Sequence, residues 1–197
     1  MMDFEQLEKQ LFANRPLPRT GSLLLANPFL RDPNFRKTVV LLVEHTHEGA
    51  LGFVLNRRMN LDVIRATEGA VPVGEPVYYG GPVQMDTLFY VHRLGDDWEG
   101  SHPVMGAVAW GGSLMGLTEA RQYHPLGEDN IRFFAGYSGW SRGQLEAEWE
   151  EKAWLVFPAQ EADIFSTEPE QIYPQLLLKL GVPGAFFRNV PEDPHLN

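Results

Sequence analysis

Thr38-Val39-Val40-Leu41-Leu42-Val43 is apolar or β-branched at every position. In a strand, successive side chains point to opposite faces, so a run without polar alternation needs cover on both sides. A second run, Gly21 to Ala26, has the same Leu-rich character, and the longer stretch Lys37 to His45 contains the first. Both predict strands held between other layers of structure. Ala50 to Asn56 forms a third run, and His45-Thr46-His47-Glu48-Gly49 between them supplies turn chemistry, so the second and third strands are expected to pair as an antiparallel hairpin.

The remaining pattern mixes strands with short helices. Val77-Tyr78-Tyr79, Gly80-Gly81-Pro82 and Leu88-Phe89-Tyr90-Val91 read as strand, tight turn and strand, with a glycine pair that permits close approach of another backbone. Val104 to Trp110 reads as one strand ended by Gly111-Gly112, with Ser113 opening a helix through about Tyr123. Ile131 to Tyr137 and Ala153 to Phe157 are further strands. Asn60 caps a helix over Leu61 to Thr67, and Ser141 with Gln144 forms a capping box ahead of Leu145 and Trp149. Thr167 with Glu170 forms a second box ahead of Ile172, Leu176, Leu177 and Leu180, where Pro174 is expected to kink or shorten the helix and Gly181 to end it. Residues 3 to 13 predict an amphipathic helix, ended by Arg15-Pro16-Leu17-Pro18. With no βαβ alternation, the fold class is α+β with a mixed, largely antiparallel sheet. The expected organisation is an N-terminal helix and linker over 1–18, a single domain over 19–190 and a frayed tail over 191–197.

Composition narrows the function. The chain has 197 residues, with 12 Phe, 6 Tyr and 5 Trp, enough length and bulk for one large core. Sixteen basic against 26 acidic side chains give a net charge of −10, which repels phosphate polyanions; with no basic helix or helix-turn-helix pattern, direct DNA binding is disfavoured. The absence of Cys removes disulfides, iron–sulfur clusters, thiolate zinc sites and cysteine nucleophiles, and fits a cytoplasmic chain. Met1-Met2-Asp3-Phe4-Glu5 has no secretory character, and no window approaches the roughly 20 apolar residues that span a bilayer.

Four groups of residues together resemble one family: Asn27-Pro28-Phe29-Leu30-Arg31-Asp32-Pro33-Asn34-Phe35; Glu44-His45 with Gly49-Ala50-Leu51-Gly52 and Asn56; Gly80-Gly81-Pro82-Val83; and Gly136-Tyr137-Ser138-Gly139-Trp140 through Gly143-Gln144-Leu145-Glu146. They are similar, in order and spacing, to the AlgH/YqgE family over roughly residues 21 to 183. The resemblance implies an α+β fold with a branched sheet rolled into a pseudo-barrel and flanking helices. It implies little about activity, since members are mostly catalogued as uncharacterised and a transcriptional-regulator label rests on a genetic association in one lineage. This chain departs at Arg58, where the family commonly has proline, and at His47, where members carry varied polar residues.

Several polar positions are candidates for ligand or partner binding. Arg31, Asp32 and Asn34 form a loop able to grip an anion through a guanidinium braced by a carboxylate; the same residues also make a self-satisfied Asx turn. Glu44, His45, His47 and Glu48 are the densest group of potential metal ligands, and in a continuous strand His45 and His47 would share a face. H-E-x-x-H is absent, however, and three ligands are not assured, so no metal or other cofactor is expected. Gly136-Tyr137-Ser138-Gly139-Trp140 lacks the second glycine of a nucleophile elbow, which leaves Ser138 as a residue on a strand-to-helix turn, with only His195 downstream as a histidine. Asn56, Gly80, Gly81 and Gln144 complete the candidates, and Glu146, Glu148, Glu150 and Glu151 give an acidic helix face. Gly80-Gly81-Pro82 and Gly111-Gly112 match no nucleotide-binding pattern. The leading reading is a non-enzymatic regulatory or interaction module with a protein or small-molecule partner. The alternative is a hydrolase or metal-assisted enzyme using the Glu44/His45 and Arg31/Asp32 loops.

Overall fold

The computed structural model describes residues 11–12, 15–30, 32–95, 98–123, 126–165 and 168–181. The expected helix over 3–13, apart from Leu11 and Phe12, together with Arg31, the Thr167 cap, His195 and the 191–197 tail, lies outside the described residues. Strands β1 (Ser22–Ala26), β2 (Val39–Thr46) and β3 (Gly49–Val54) form an antiparallel meander, and β10 (Trp154–Pro158) pairs antiparallel with the other edge of β1. Leu23, Leu24, Leu25, Val39, Val40, Leu41 and Leu42 are all completely buried, which accounts for the missing polar alternation. Helix α5 (Pro169–Lys179) contributes Ile172, Tyr173, Leu176 and Leu177 to this core, and the Tyr173 hydroxyl donates to the Ala26 carbonyl at 3.0 Å. The helix runs through Pro174 without a break and ends at Lys179; just beyond its Leu180 cap, Gly181 takes a φ of +73°, which suits a residue without Cβ.

Strand β9 (Ile131–Ser141) organises the rest. Its second half pairs antiparallel with β3, Gly52 opposite Ser138 and Gly49 opposite Ser141. Its first half lies between β5 (Pro76–Tyr79), which runs parallel, and β6 (Val83–His92), which runs antiparallel. Strands β3 and β5 therefore follow each other along one edge of β9 and then diverge, so the sheet branches. Beyond β6 come β8 (Val108–Gly111) and β7 (Ser101–Met105), and β4 (Arg58–Asp62) pairs with β5. The path β10-β1-β2-β3-β9-β6-β8-β7 curls until β7 lies beside the start of β1, where a Cβ on Gly21 would sit 3.3 Å from Met105. This is the rolled, largely antiparallel α+β sheet expected above.

The joint of the branch is made of glycine. The Gly80 carbonyl accepts from Val54 N–H at 2.9 Å and from Ser138 Oγ at 3.0 Å. A Cβ on Gly80 would drive into the Gly136 carbonyl, and one on Gly81 into the Tyr137-Ser138 peptide, so the link from β5 to β6 could not pass this close to β9 with a side chain at either position. Two apolar clusters result. The larger fills the space around β1, β2, β3, β10 and α5 and includes Leu11 and Phe134; the smaller gathers Val63, Val71, Val73, Val77, Tyr90, Leu94, Leu117, Ile131, Phe133 and Ala135.

Several elements differ from the sequence reading. The stretch 104–110 is a hairpin of β7 and β8, because Gly106 at φ +50° turns the chain back. Asn60 lies inside β4, and helix α1 (Val63–Ala66) is capped instead by Asp62, whose carboxylate accepts from Arg65 N–H at 2.8 Å. Helix α2 spans only Gly116–Ala120, and α4 (Glu161–Phe165) has no counterpart in the sequence reading. Ser141 ends β9 rather than capping α3 (Gln144–Glu150), which starts from Gly143 at φ +74°; Gln144 Oε1 still accepts from Ser141 N–H at 3.0 Å.

Candidate functional site

The loop after β1 is closed by its own hydrogen bonds. Asp32 Oδ1 accepts from Asn34 N–H at 2.8 Å, an Asx turn. Arg57, which leaves β3 beside it, donates to the carbonyls of Asn34 at 2.8 Å, Arg36 at 3.1 Å and Pro33 at 3.3 Å. Asn56 Oδ1 accepts from Val39 N–H at 2.9 Å while its amide donates to the Lys37 carbonyl at 2.8 Å. Asp32, Asn34 and Asn56 thus meet in one loop system, with Arg57, unnominated in the sequence, as its pin.

The histidines part company. His45 Nε2 lies 2.7 Å from Glu146 Oε1 on α3, with side-chain exposures of 18% and 50%. Glu146 is held below the usual carboxylate range first by its own backbone N–H and then by His45, against some burial. Strand β2 ends at Thr46, so His47 enters the turn and pairs at 2.8 Å with Glu48 instead of joining His45. Glu44 stands exposed beyond the bulge that follows Leu42. Among the described residues no three His, Asp or Glu side chains converge to hold a metal ion. Ser138 is completely buried in the body of β9, which corrects the expectation of an exposed strand-to-helix turn; its hydroxyl and its neighbours Gly80 and Gly81 form the branch joint.

Helix α3 is seated by carboxylates rather than presenting them all to solvent. Glu148 Oε2 accepts from the indole N–H of Trp140 at 2.8 Å and of Trp154 at 2.7 Å, while its Oε1 accepts from Gln144 at 2.9 Å. At the opening of β9, Glu128 accepts from the Tyr78 hydroxyl and, at 3.2 Å, from Arg58. The buried Arg132 guanidinium lies 5.2 Å from the Tyr78 ring. Burial, then the bond to Glu128, holds the Tyr78 phenol well above the ordinary tyrosine range, so it remains a donor. The Glu128 carboxylate thus serves both Tyr78 and Arg58.

The cleft beside α2 is built differently. It has a volume of about 770 Å³ and is lined by Trp98, Glu99, Ser113, Met115, Gly116, Thr118, Glu119, Ala120 and Tyr123. Trp98 is held at both side chain and backbone: its indole N–H donates to the Tyr90 hydroxyl at 2.9 Å, and its backbone carbonyl accepts from Ser101 Oγ at 2.7 Å and Ser101 N–H at 3.1 Å. Gly112, at φ +108°, leaves room for that indole, which a Cβ would strike. Leu117 turns into the smaller cluster and Ala120 is buried, whereas Met115 is 63% exposed and Tyr123 81% exposed. Ser113 Oγ closes the first turn by accepting from Gly116 N–H at 3.1 Å. The Glu99 and Glu119 side chains are exposed, and neither carboxylate makes a hydrogen bond or ion pair with a described residue. Beneath Trp98, His92 is completely buried, its ring 6.3 Å from the indole, and its Nδ1 accepts from Leu94 N–H at 3.3 Å. Burial drives its pKa down to about 4, against a smaller pull from the Gly111 backbone. Sequence reasoning passed over the cleft; its one signal is the pairing of Leu117 and Ala120 against Met115 on opposite sides of a short helix.

A family model described as AlgH-like matches residues 23–185. This chain belongs to the AlgH-like family. A UPF0301 protein of Chlorobaculum tepidum is 39% identical over 179 residues, covering 91% of this chain and 96% of that protein. One from Chlorobium luteolum is 41% identical over 177 residues, covering 90% and 94%. The solution structure of the AlgH protein from Pseudomonas aeruginosa has 32% identity and a TM-score of 0.69, covering 89% of this chain and 96% of that one. A crystal structure from Corynebacterium diphtheriae, at 24% identity, TM-score 0.72 and coverage of 88% and 93%, shares the fold. The branch joint and the Trp98 cleft both fall inside the AlgH-like region, and no helix among the described residues is long and apolar enough to cross a membrane.

Proposed function

We propose that this AlgH-like chain is a cytoplasmic, non-enzymatic interaction module, regulatory in effect, that docks a protein partner in the cleft beside α2. The observation that carries this reading is the prepositioned Trp98 indole in a cleft of about 770 Å³ whose lining includes the outward Met115 and Tyr123. The fixed indole supplies aromatic contact area with little ordering cost, and the polarizable Met115 thioether adapts to the shape of a partner. The alternative enzyme draws less support, because His45 Nε2 is taken by Glu146 and Asp32 Oδ1 by Asn34 N–H. The net charge of −10 favours protein over nucleic acid as the partner.

Affinity capture from native cells with the full chain tests the reading against a Met115→Asp/Tyr123→Ser double variant of matched thermal stability. The expected result is at least one protein retained by the parent and lost from the variant. Equal capture by both would remove the cleft from the interaction.

A further inference from the structure

We infer that the cleft beside α2 selects a cationic peptide segment carrying apolar side chains; this rests on the docking reading above and adds the chemistry of the partner. Two features of the cleft point the same way. Its apolar lining of Trp98, Met115 and Tyr123 asks for apolar side chains or the methylene stems of long ones. Its carboxylates, Glu99 and Glu119, are exposed and engaged by no described residue, whereas Glu128, Glu146, Glu148 and Glu161 each meet a described cation or donor. The cation nearest in sequence, Arg121, spends its guanidinium on the Pro72 carbonyl at 2.9 Å. A cleft lined by an indole together with carboxylates that meet no described cation is the surroundings that Arg and Lys favour, through ring quadrupole and Coulomb attraction together. The −10 charge of the chain draws the same partner from a distance. An acidic segment would meet repulsion, and a polar cationic one would leave Met115 and Tyr123 in water.

The test titrates the full chain with three synthetic 12-residue peptides: one of Arg, Leu and Phe, its charge-reversed counterpart with Glu for Arg, and an all-polar one of Arg and Ser. Amide and indole NMR shifts locate binding and calorimetry gives its affinity. The Arg/Leu/Phe peptide is expected to shift the Trp98 indole and residues 113–123. Glu99→Gln/Glu119→Gln should weaken it about tenfold at low salt, and the equal charge change Glu150→Gln/Glu151→Gln, beside α3, less than twofold. Equal binding of the charge-reversed peptide in the cleft would overturn the charge selection and leave the docking reading standing, and equal binding of the Arg/Ser peptide would overturn the apolar requirement. A loss as large from the α3 pair would reduce the effect to bulk field. If no peptide shifts the cleft, the docking reading falls with the inference.

Discussion

The two apolar clusters that share β9 differ in how they are covered. The larger is sealed by α5 and by α3, whose Glu148 holds two buried indoles, with Phe35 set against both rings. The smaller is covered beside the cleft by five-residue α2, whose N-cap residue, Met115, makes no side-chain cap bond and stands outside. Stability is therefore concentrated around β1, β2 and β10, and exposed apolar surface around α2. An element with few buried contacts is where local opening is least costly, so the same contrast separates the rigid from the adaptable part of the molecule.

The comparison breaks most severely at the joint common to both clusters. Gly80→Ala places a methyl in the Gly136 carbonyl, and the expected loss is on the order of 4 kcal/mol, seen as a fall in Tm of about 10 °C or outright failure to fold. A Tm within a degree or two of the parent would mean the branch can open without cost. In the larger cluster, Glu148→Ala orphans two indole donors and should cost about 3 kcal/mol in urea unfolding, with Glu148→Gln, which keeps an acceptor, losing about a third as much. Equal losses would show that the acceptor is not what seats α3.

The smaller cluster should fail in acid. His92 binds a proton more readily unfolded, near pH 6.5, than folded, near pH 4, so its contribution is fully present above pH 6.5 and drains away as pH falls toward 4. That is about 3 kcal/mol, and a His92→Phe variant should lose this part of the slope between pH 7 and 4. An unchanged slope would place the acid sensitivity elsewhere. Smallest of all, Met115→Asp/Tyr123→Ser should shift unfolding by no more than about 0.5 kcal/mol, because both side chains already face water. A drop of several kcal/mol would show that they belong to the core and would end their role in docking.

The sequence told most where burial leaves a periodic trace. Val39 to Leu42 announced a strand covered on both faces, and Gly80-Gly81 announced a close backbone approach. It told little where geometry comes from partners distant in the chain. Ile131 to Tyr137 read as a strand, but Ser138-Gly139 looks like a turn, since glycine is poor strand material; β3 alongside extends β9 through it to Ser141. Arg58-Met59-Asn60-Leu61 has no strong strand pattern and becomes β4 because β5 offers it an edge. His45 finds Glu146 across 101 positions, and Glu148 collects two tryptophans from separate strands, pairings that local spacing cannot encode. The cleft was least legible, because the outward setting of Met115 follows from where α2 begins and from the Gly112 gap that admits Trp98.

The branch at β9 also sets an order of events during synthesis. Strands β3, β5 and β6 leave the ribosome well before Ile131–Ser141, the segment each must hydrogen-bond along one side. A nascent chain stopped short of residue 131 consequently carries several open ladders at once, the condition under which strands from different molecules join. Ribosome-stalled lengths ending between β8 and β9 are the species that should require a holding chaperone, and those extended past Ser141 with clearance from the exit tunnel should release it.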